Sequence, residues 1–469
     1  MKDVKNIVFN GLYKLSAILF PLLTVTYATR VLGPENYGYA VGLLALCAFF
    51  FNFPSLPFGA FAVGELSRIE ANKKDKVADV FLGLGFILSA FSSVVFFLFL
   101  YFYTVYENIY VVSLAFFTIL SASFSLEWYY QYKGEFRRLF IRTSLIRLFA
   151  LMLIFTLVIL PEDYIVYTVI LLLMLLAPNM YNLYFYHSKQ GLIFKHIFCL
   201  TELKRYLPSL IRNGIIGFLV SVYTLLPIAI AAIYLTGEQF SFVALPDRII
   251  KLIISLTASF SIVLLPKQVE LFSSSMEEAK CYLLKAIDIT IASSVLFIFI
   301  VYSFADYFVV LLAGQGFSDS GNYLKGLSPL LLLMPLNSIL IYQFYYAKNE
   351  LKQLTKITLL TAIFSVGIII LFLNLFSANG YVLSVLLIEF TLFSCLFINA
   401  FSLRKAFLLL CKIVSCILVI FFINELILTF ITAFYLGDDV KLISGVMLST
   451  LFYFIFIFLY CSFLRTSKG

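Results

Sequence analysis

Apolar stretches of about twenty residues follow one another along nearly the whole chain, and they constrain its fold more than any other feature. A helix rises about 1.5 Å per residue and the hydrocarbon core of a bilayer is about 30 Å thick, so each stretch is long enough to cross. Of the 469 residues 62% are hydrophobic and 12% charged, against roughly a half and a quarter in soluble domains. A water-soluble globule has no interior for the excess. Barrel strands alternate over about ten residues, which these longer runs do not. The expected fold is an all-α polytopic membrane protein with about fourteen transmembrane helices.

The expected helices lie at 10–31, 37–60, 78–104, 109–132, 143–160 and 165–187, then at 209–235, 240–265, 282–302, 323–346, 356–376 and 381–401. A final pair is expected at 407–433 and 440–463. This divides the chain into a six-helix bundle (1–188), an amphipathic cytoplasmic linker (189–208), a second six-helix bundle (209–403) and a C-terminal helical pair (404–469). The basic start reads as the head of a retained first helix, because the apolar run behind it is too long for a cleaved signal.

Basic residues gather in alternate connections, at Arg68 to Lys76, Lys133 to Arg138, and Lys204 with Arg205. The intervening loops carry Glu35, Glu107, Glu162, Asp163 and Glu238. Short cationic loops stay cytoplasmic, which places both termini on the cytoplasmic side. The net charge of +8 is accounted for by this rim, which suits anionic lipid headgroups and gives no ground for a nucleic-acid partner. The seven cysteines and two histidines show neither paired nor ligand-like spacing, so no metal and no cofactor is expected.

The two halves carry an internal repeat. Leu32-Gly33-Pro34-Glu35-Asn36-Tyr37 aligns with Leu235-Thr236-Gly237-Glu238-Gln239-Phe240, and Lys133-Gly134-Glu135 with Lys348-Asn349-Glu350. Because each half has an even number of helices, the repeats run parallel about an axis along the membrane normal. Transporters built in this way place substrate between the halves.

The opening VKNIVFNGLYKLSAILFPLLTVTYATRVLGPENYGYAV resembles that of the polysaccharide (O-antigen) flippases, within the multidrug, oligosaccharidyl-lipid and polysaccharide exporter superfamily. The resemblance is carried by the proline in the first helix, the hairpin Arg30-Val31-Leu32-Gly33-Pro34 with Tyr37-Gly38, and Asp247-Arg248 followed by Pro266. The chain departs from the family at Gly64-Glu65, where members often have Arg-Glu. The resemblance implies a non-enzymatic flippase of a bacterial inner membrane. It implies transfer of an undecaprenyl-diphosphate-linked oligosaccharide from the cytoplasmic to the periplasmic leaflet by alternating access, with the polymerase of the same pathway as a partner.

Such cargo needs a wet, cationic lumen, and a basic side chain near the bilayer centre costs about 2.5 to 3.5 kcal/mol unless it has a polar destination. The candidates for binding the anionic cargo are Lys14, Arg30, Arg147, Arg212, Arg248 and Lys251. Lys14 and Arg212 could instead snorkel to the interface, and Arg30 could offset a helix dipole. Asp247, Glu127, Asp288 and Glu389 are candidates for ion coupling or gating, with Asp247 and Lys251 spaced to pair on one face. Pro54 and Pro57 are hinge candidates. The clusters Trp128 to Tyr132 and Tyr342 to Tyr346 read as an interfacial aromatic belt, or as a stacking surface for sugars.

Three other functions fit parts of the pattern. A membrane polymerase needs a large outer surface, whereas the longest outward loop is expected near 305–322. A drug exporter would favour an acidic, apolar lumen, while this interior leans basic. A lipid II flippase would share the fourteen helices and the cationic lumen. On the charge pattern, alkaline phosphatase fused after Asp163 should be active and fused after Lys204 inactive; the reverse result would invert the topology.

Overall fold

The structure, a computed structural model, describes residues 2–56, 58–70, 74–103, 108–190 and 200–401. The expected terminal pair (404–469), residues 191–199 of the linker and Pro57 lie outside these residues. Every described element is helical, as bilayer burial demands: a backbone in lipid must satisfy its own polar groups.

The helices are α1 (Lys2–Asn52), α2 (Gly59–Arg68), α3 (Lys74–Tyr103), α4 (Ile109–Leu120), α5 (Glu127–Lys133), α6 (Phe136–Leu157) and α7 (Tyr164–Gln190). They continue as α8 (Leu200–Thr224), α9 (Leu226–Tyr234), α10 (Gly237–Val263), α11 (Leu265–Ser274) and α12 (Met276–Ala313). The last three are α13 (Ser320–Leu327), α14 (Leu330–Leu340) and α15 (Leu351–Ala400). Nine segments among the described residues are long and apolar enough to cross a membrane. With the arms of α1 and α15 taken separately and α10 added, this gives the twelve helices expected before Phe401. α10 falls outside the nine because Asp247, Arg248 and Lys251 interrupt its middle.

Both very long helices are broken. Straight, α1 would put Tyr13 about 57 Å from Phe51, yet the two line one cavity. The break is Gly33, at φ 73° and ψ 174°, followed by Pro34. Glycine enters that region without the Cβ penalty, and proline starts the return arm with its φ already set. In α15 the break is Ser377, at φ 50° and ψ −127°.

Three local expectations are corrected. The second crossing ends at Asn52, not near residue 60, in a 3-10 turn over Phe53–Ser55. Residues 109–132 are not one helix, because a 3-10 segment, Ser121–Phe124, interrupts them. Its Ser121 and Ser123 hydroxyls bond the Thr118 and Leu120 carbonyls at 2.7 and 3.0 Å, the local competition by which serine loosens a helix. The outward loop expected at 305–322 is largely helical, since α12 bends at Phe304, continues to Ala313 and is closed by Gly314 at φ 87°.

The chain forms two compact units. In the first (1–244, 312–316 and 362–381), α1 packs against α6, α7 and α9. Leu43, Leu46 and Cys47 meet Phe96, Val112, Ala115 and Leu172 in one apolar core. A second core is aromatic, with Phe58, Phe81, Trp128, Tyr129, Tyr186 and Tyr206 all buried. The Tyr186 hydroxyl donates to Asp79 at 2.9 Å. Trp128 and Tyr129 are therefore packed inside and do not form a headgroup belt.

The second unit (245–311, 317–361 and 382–401 among the described residues) repeats one turn of the first. Gly134 has φ 66° and Asn349 φ 60°; each ends a helical segment in the left-handed region open to glycine and asparagine. Glu135 N–H donates to Tyr130 O, and Glu350 N–H to Tyr345 O, both at 2.9 Å. Both positions belong to the sequence repeat. The preceding Ile341–Tyr346 is a π turn in which Gln343, Phe344 and Tyr345 are buried.

Backbones approach closely at Gly38, where an added Cβ would meet the backbone O, C and Cα of Gly237. Gly64 has open space. Gly38→Ala should lower stability by about 1 to 3 kcal/mol, while Gly64→Ala should stay near wild type. Thermal unfolding of the purified variants in detergent measures the difference, and equal melting temperatures would contradict the packing described.

Candidate functional site

α6 has two faces of opposite character. Leu145, Leu148, Phe149 and Met152, at i, i+3, i+4 and i+7, are exposed, as suits a helix face turned to lipid tails. Arg142, Thr143, Ala150 and Ile154 are buried. Arg147 lies opposite the stripe; Arg142, seven residues before Phe149, shares the stripe's side by helical register yet is buried, and both side chains reach into the first unit.

There they line a cavity of about 160 Å³, together with Tyr13, Ser125, Glu127, Pro178, Asn179 and Asn182. Arg142 is 7% exposed. One of its terminal nitrogens donates to Asn182 Oδ1, the other to Thr143 Oγ1 at 3.2 Å. Its guanidinium lies 5.8 Å from the Tyr130 ring centroid, and its Nε has no hydrogen-bond partner. Arg147 donates to Ser16 Oγ at 2.6 Å and lies 5.9 Å from the Tyr13 ring centroid. Tyr13 in turn donates to Glu127 Oε1 at 2.8 Å.

α7 supports this wall. Asn179 Nδ2 donates to Ser121 Oγ at 3.0 Å, and Asn182 Nδ2 to Phe124 O at 2.9 Å. Two asparagines three apart therefore hold the break before α5, which sets where Glu127 stands. Pro178 lies inside α7 and lines the same cavity; it leaves the Met174 carbonyl without its usual helical donor.

Of the expected site residues, Arg147 and Glu127 come together here. Glu127 is exposed at the start of α5 rather than deep within a fourth crossing. Arg30 is in the last turn before Gly33, and its Cγ lies 3.5 Å from where a Cβ on Gly314 would stand. The side chains of Lys14 and Arg212, on α1 and α8, lie outside the described ones. Pro54 is buried in the turn between α1 and α2.

The other candidates lie in the second unit. Lys251 pairs with Asp247 at 2.7 Å across one turn of α10, with Asp247 5% exposed. Arg248 is half-buried beside them, and Asp288 is half-buried on α12. Glu389, 2% exposed, accepts from Asn337 Nδ2 at 2.7 Å. The same amide reaches the Glu389 carbonyl at 3.1 Å. No group of three or more potential metal ligands occurs among the described residues.

Arg142, Tyr13, Asn179, Asn182 and Asn337 were not among the expected site residues. Arg142 falls one residue before the expected fifth crossing (143–160). The periodicity of α6 carries no signal for it, since Arg142 stands seven residues before Phe149 on the exposed stripe's side.

The fold is shared with membrane transporters. It is similar to that of the lipid II flippase MurJ in an inward closed conformation, at 14% identity over 98% of this chain and 100% of that one, with a TM-score of 0.73. It is also similar to an inward-facing multidrug resistance MATE family transporter of the MOP superfamily, at 16% identity over 85% and 99%, TM-score 0.66. A MOP superfamily transporter from Pyrococcus furiosus, described as having a binding pocket of reversed polarity, matches at 16% identity over 88% and 93%, TM-score 0.51. No family model and no curated protein matches the sequence.

The Glu389 contact is testable. Asn337→Leu removes the amide and leaves a buried carboxyl group without that donor, which should cost about 1 to 3 kcal/mol. Glu389→Gln with Asn337 kept retains a hydrogen-bonding pair and should cost less. If thermal unfolding in detergent ranks the two variants the other way, the Asn337 bond is not what accommodates Glu389.

Proposed function

We propose that the protein is a flippase for an undecaprenyl-diphosphate-linked oligosaccharide, an O-antigen or similar repeat unit. It moves this cargo from the cytoplasmic to the periplasmic leaflet of a bacterial inner membrane by alternating access. The observation that carries the reading is the first unit's cavity, where Arg142 and Arg147 stand among membrane-spanning helices. Two guanidiniums in such a place are costly unless they serve an anion, and the planar fork of arginine matches phosphate oxygens. Drug cations would be repelled by the same pair. The fold shared with a lipid II flippase supports a lipid-linked cargo of this class, and lipid II is the second reading.

In this reading the two six-helix halves rock against each other, both termini are cytoplasmic and the buried Pro54 turn is a hinge. The pathway polymerase receives the product. Asp247 with Lys251, Glu389 and Asp288 would couple the movement to ion entry, and Arg30, Arg248, Lys14 and Arg212 would extend the cationic path.

Clean deletion should trap the lipid-linked unit on the cytoplasmic leaflet and abolish surface polysaccharide. Complementation with Arg142→Gln/Arg147→Gln should restore less than about a tenth of wild-type export at equal membrane abundance. Full surface polysaccharide in the deletion strain, with no second flippase present, would sink the proposal.

A further inference from the structure

The cavity that holds Arg142 and Arg147 already contains an anion of the protein's own. Glu127 lines it, is exposed, and is tethered by the Tyr13 hydroxyl at 2.8 Å. The cations are fixed more firmly than the acid. Arg147 is bonded to Ser16 and Arg142 to Asn182 and Thr143, with Asn182 itself anchored to the Phe124 carbonyl. Arg142 is more than nine-tenths buried and its Nε has no acceptor, so the guanidinium wall is not saturated by the contacts it has.

We infer that Glu127 is a displaceable internal anion: it occupies the cavity while the site is empty and yields it to the phosphate group of an incoming ligand. The identification of that ligand as a lipid-linked diphosphate rests on the flippase reading, but the displacement does not. The volume fits this assignment. The 160 Å³ of the cavity is well above the roughly 10 to 15 Å³ of such space that a single water needs, so a phosphate group has room. A phosphate offers more acceptor oxygens and more charge than the carboxylate, and can meet a guanidinium through two parallel hydrogen bonds. The acid keeps two like charges apart from each other's full repulsion until ligand arrives, and its presence sets a threshold that weak anions do not pass.

The test uses the full-length protein in detergent, with inorganic pyrophosphate as the probe and calorimetric titration as the readout. Glu127→Gln keeps the hydrogen-bonding shape but removes the competing charge, and should tighten pyrophosphate binding about tenfold, or about 1.4 kcal/mol. Tyr13→Phe, which cuts the tether and leaves the charge, should tighten it about two- to threefold. Arg142→Gln/Arg147→Gln should abolish binding. Unliganded melting temperatures check that each variant is folded. Unchanged or weaker binding by folded Glu127→Gln, or no binding by any form, overturns the inference.

Undecaprenyl diphosphate in the same detergent separates the sources. Tighter binding than pyrophosphate assigns a lipid, and equal binding a soluble diphosphate; displacement of Glu127 stands in both cases. Tightened binding in Glu127→Gln together with normal surface polysaccharide in the deletion strain would keep this inference and remove the flippase reading. Trapped lipid-linked units with no effect of Glu127→Gln would do the reverse.

Discussion

A guanidinium cannot face lipid tails cheaply, and a bare backbone cannot face them at all. The second constraint makes every described element a helix. The first makes each helix choose a side. α6 shows both at work: Leu145, Leu148, Phe149 and Met152 are exposed, while Arg142 and Arg147 reach into the interior of the first unit. The cavity is a consequence of this partition, as is the need for Asn182, Thr143 and Ser16 to receive the charges.

Hydrophobicity does not distinguish protein from lipid here, so packing relies on shape and on polar contacts. The approach of Gly38 to Gly237 is of the first kind. The bonds from Asn179 to Ser121, Tyr186 to Asp79 and Asn337 to Glu389 are of the second. They also place the chemistry. Asn179 and Asn182 hold the broken segment before α5, and that break brings Glu127 to the cavity instead of leaving it on a continuous crossing. The serines that loosen the helix at Ser121 and Ser123 are therefore part of what positions the acid.

The repeat read in the sequence corresponds to a shared backbone geometry at one place. Gly134-Glu135 and Asn349-Glu350 adopt the same left-handed exit and the same hydrogen bond back to a tyrosine. At the other place the likeness is looser: Gly33 breaks α1 with a positive φ, whereas Leu235 is extended before α10 begins at Gly237. Gly33 has no Cβ to restrict it, and the Leu235-Thr236 pair must turn within ordinary side-chain limits.

The sequence by itself determined the class of fold, the number of helices up to Phe401 and the presence of costly charges inside them. Those follow from hydropathy, length and composition, which are local quantities. Arg147 was legible as an interior ionisable residue, Glu127 as a candidate though not as an exposed one, and the Asp247–Lys251 pair was legible from its spacing. Only the tertiary structure decided that Arg147 and Glu127 share a cavity, that Arg142 belongs with them, and that Trp128 and Tyr129 are core rather than belt. Those outcomes depend on which faces of α1, α5, α6 and α7 meet. In a chain apolar on nearly every side, hydrophobic periodicity does not mark that choice; helix breaks at Gly33 and Ser121 and a few buried amides make it.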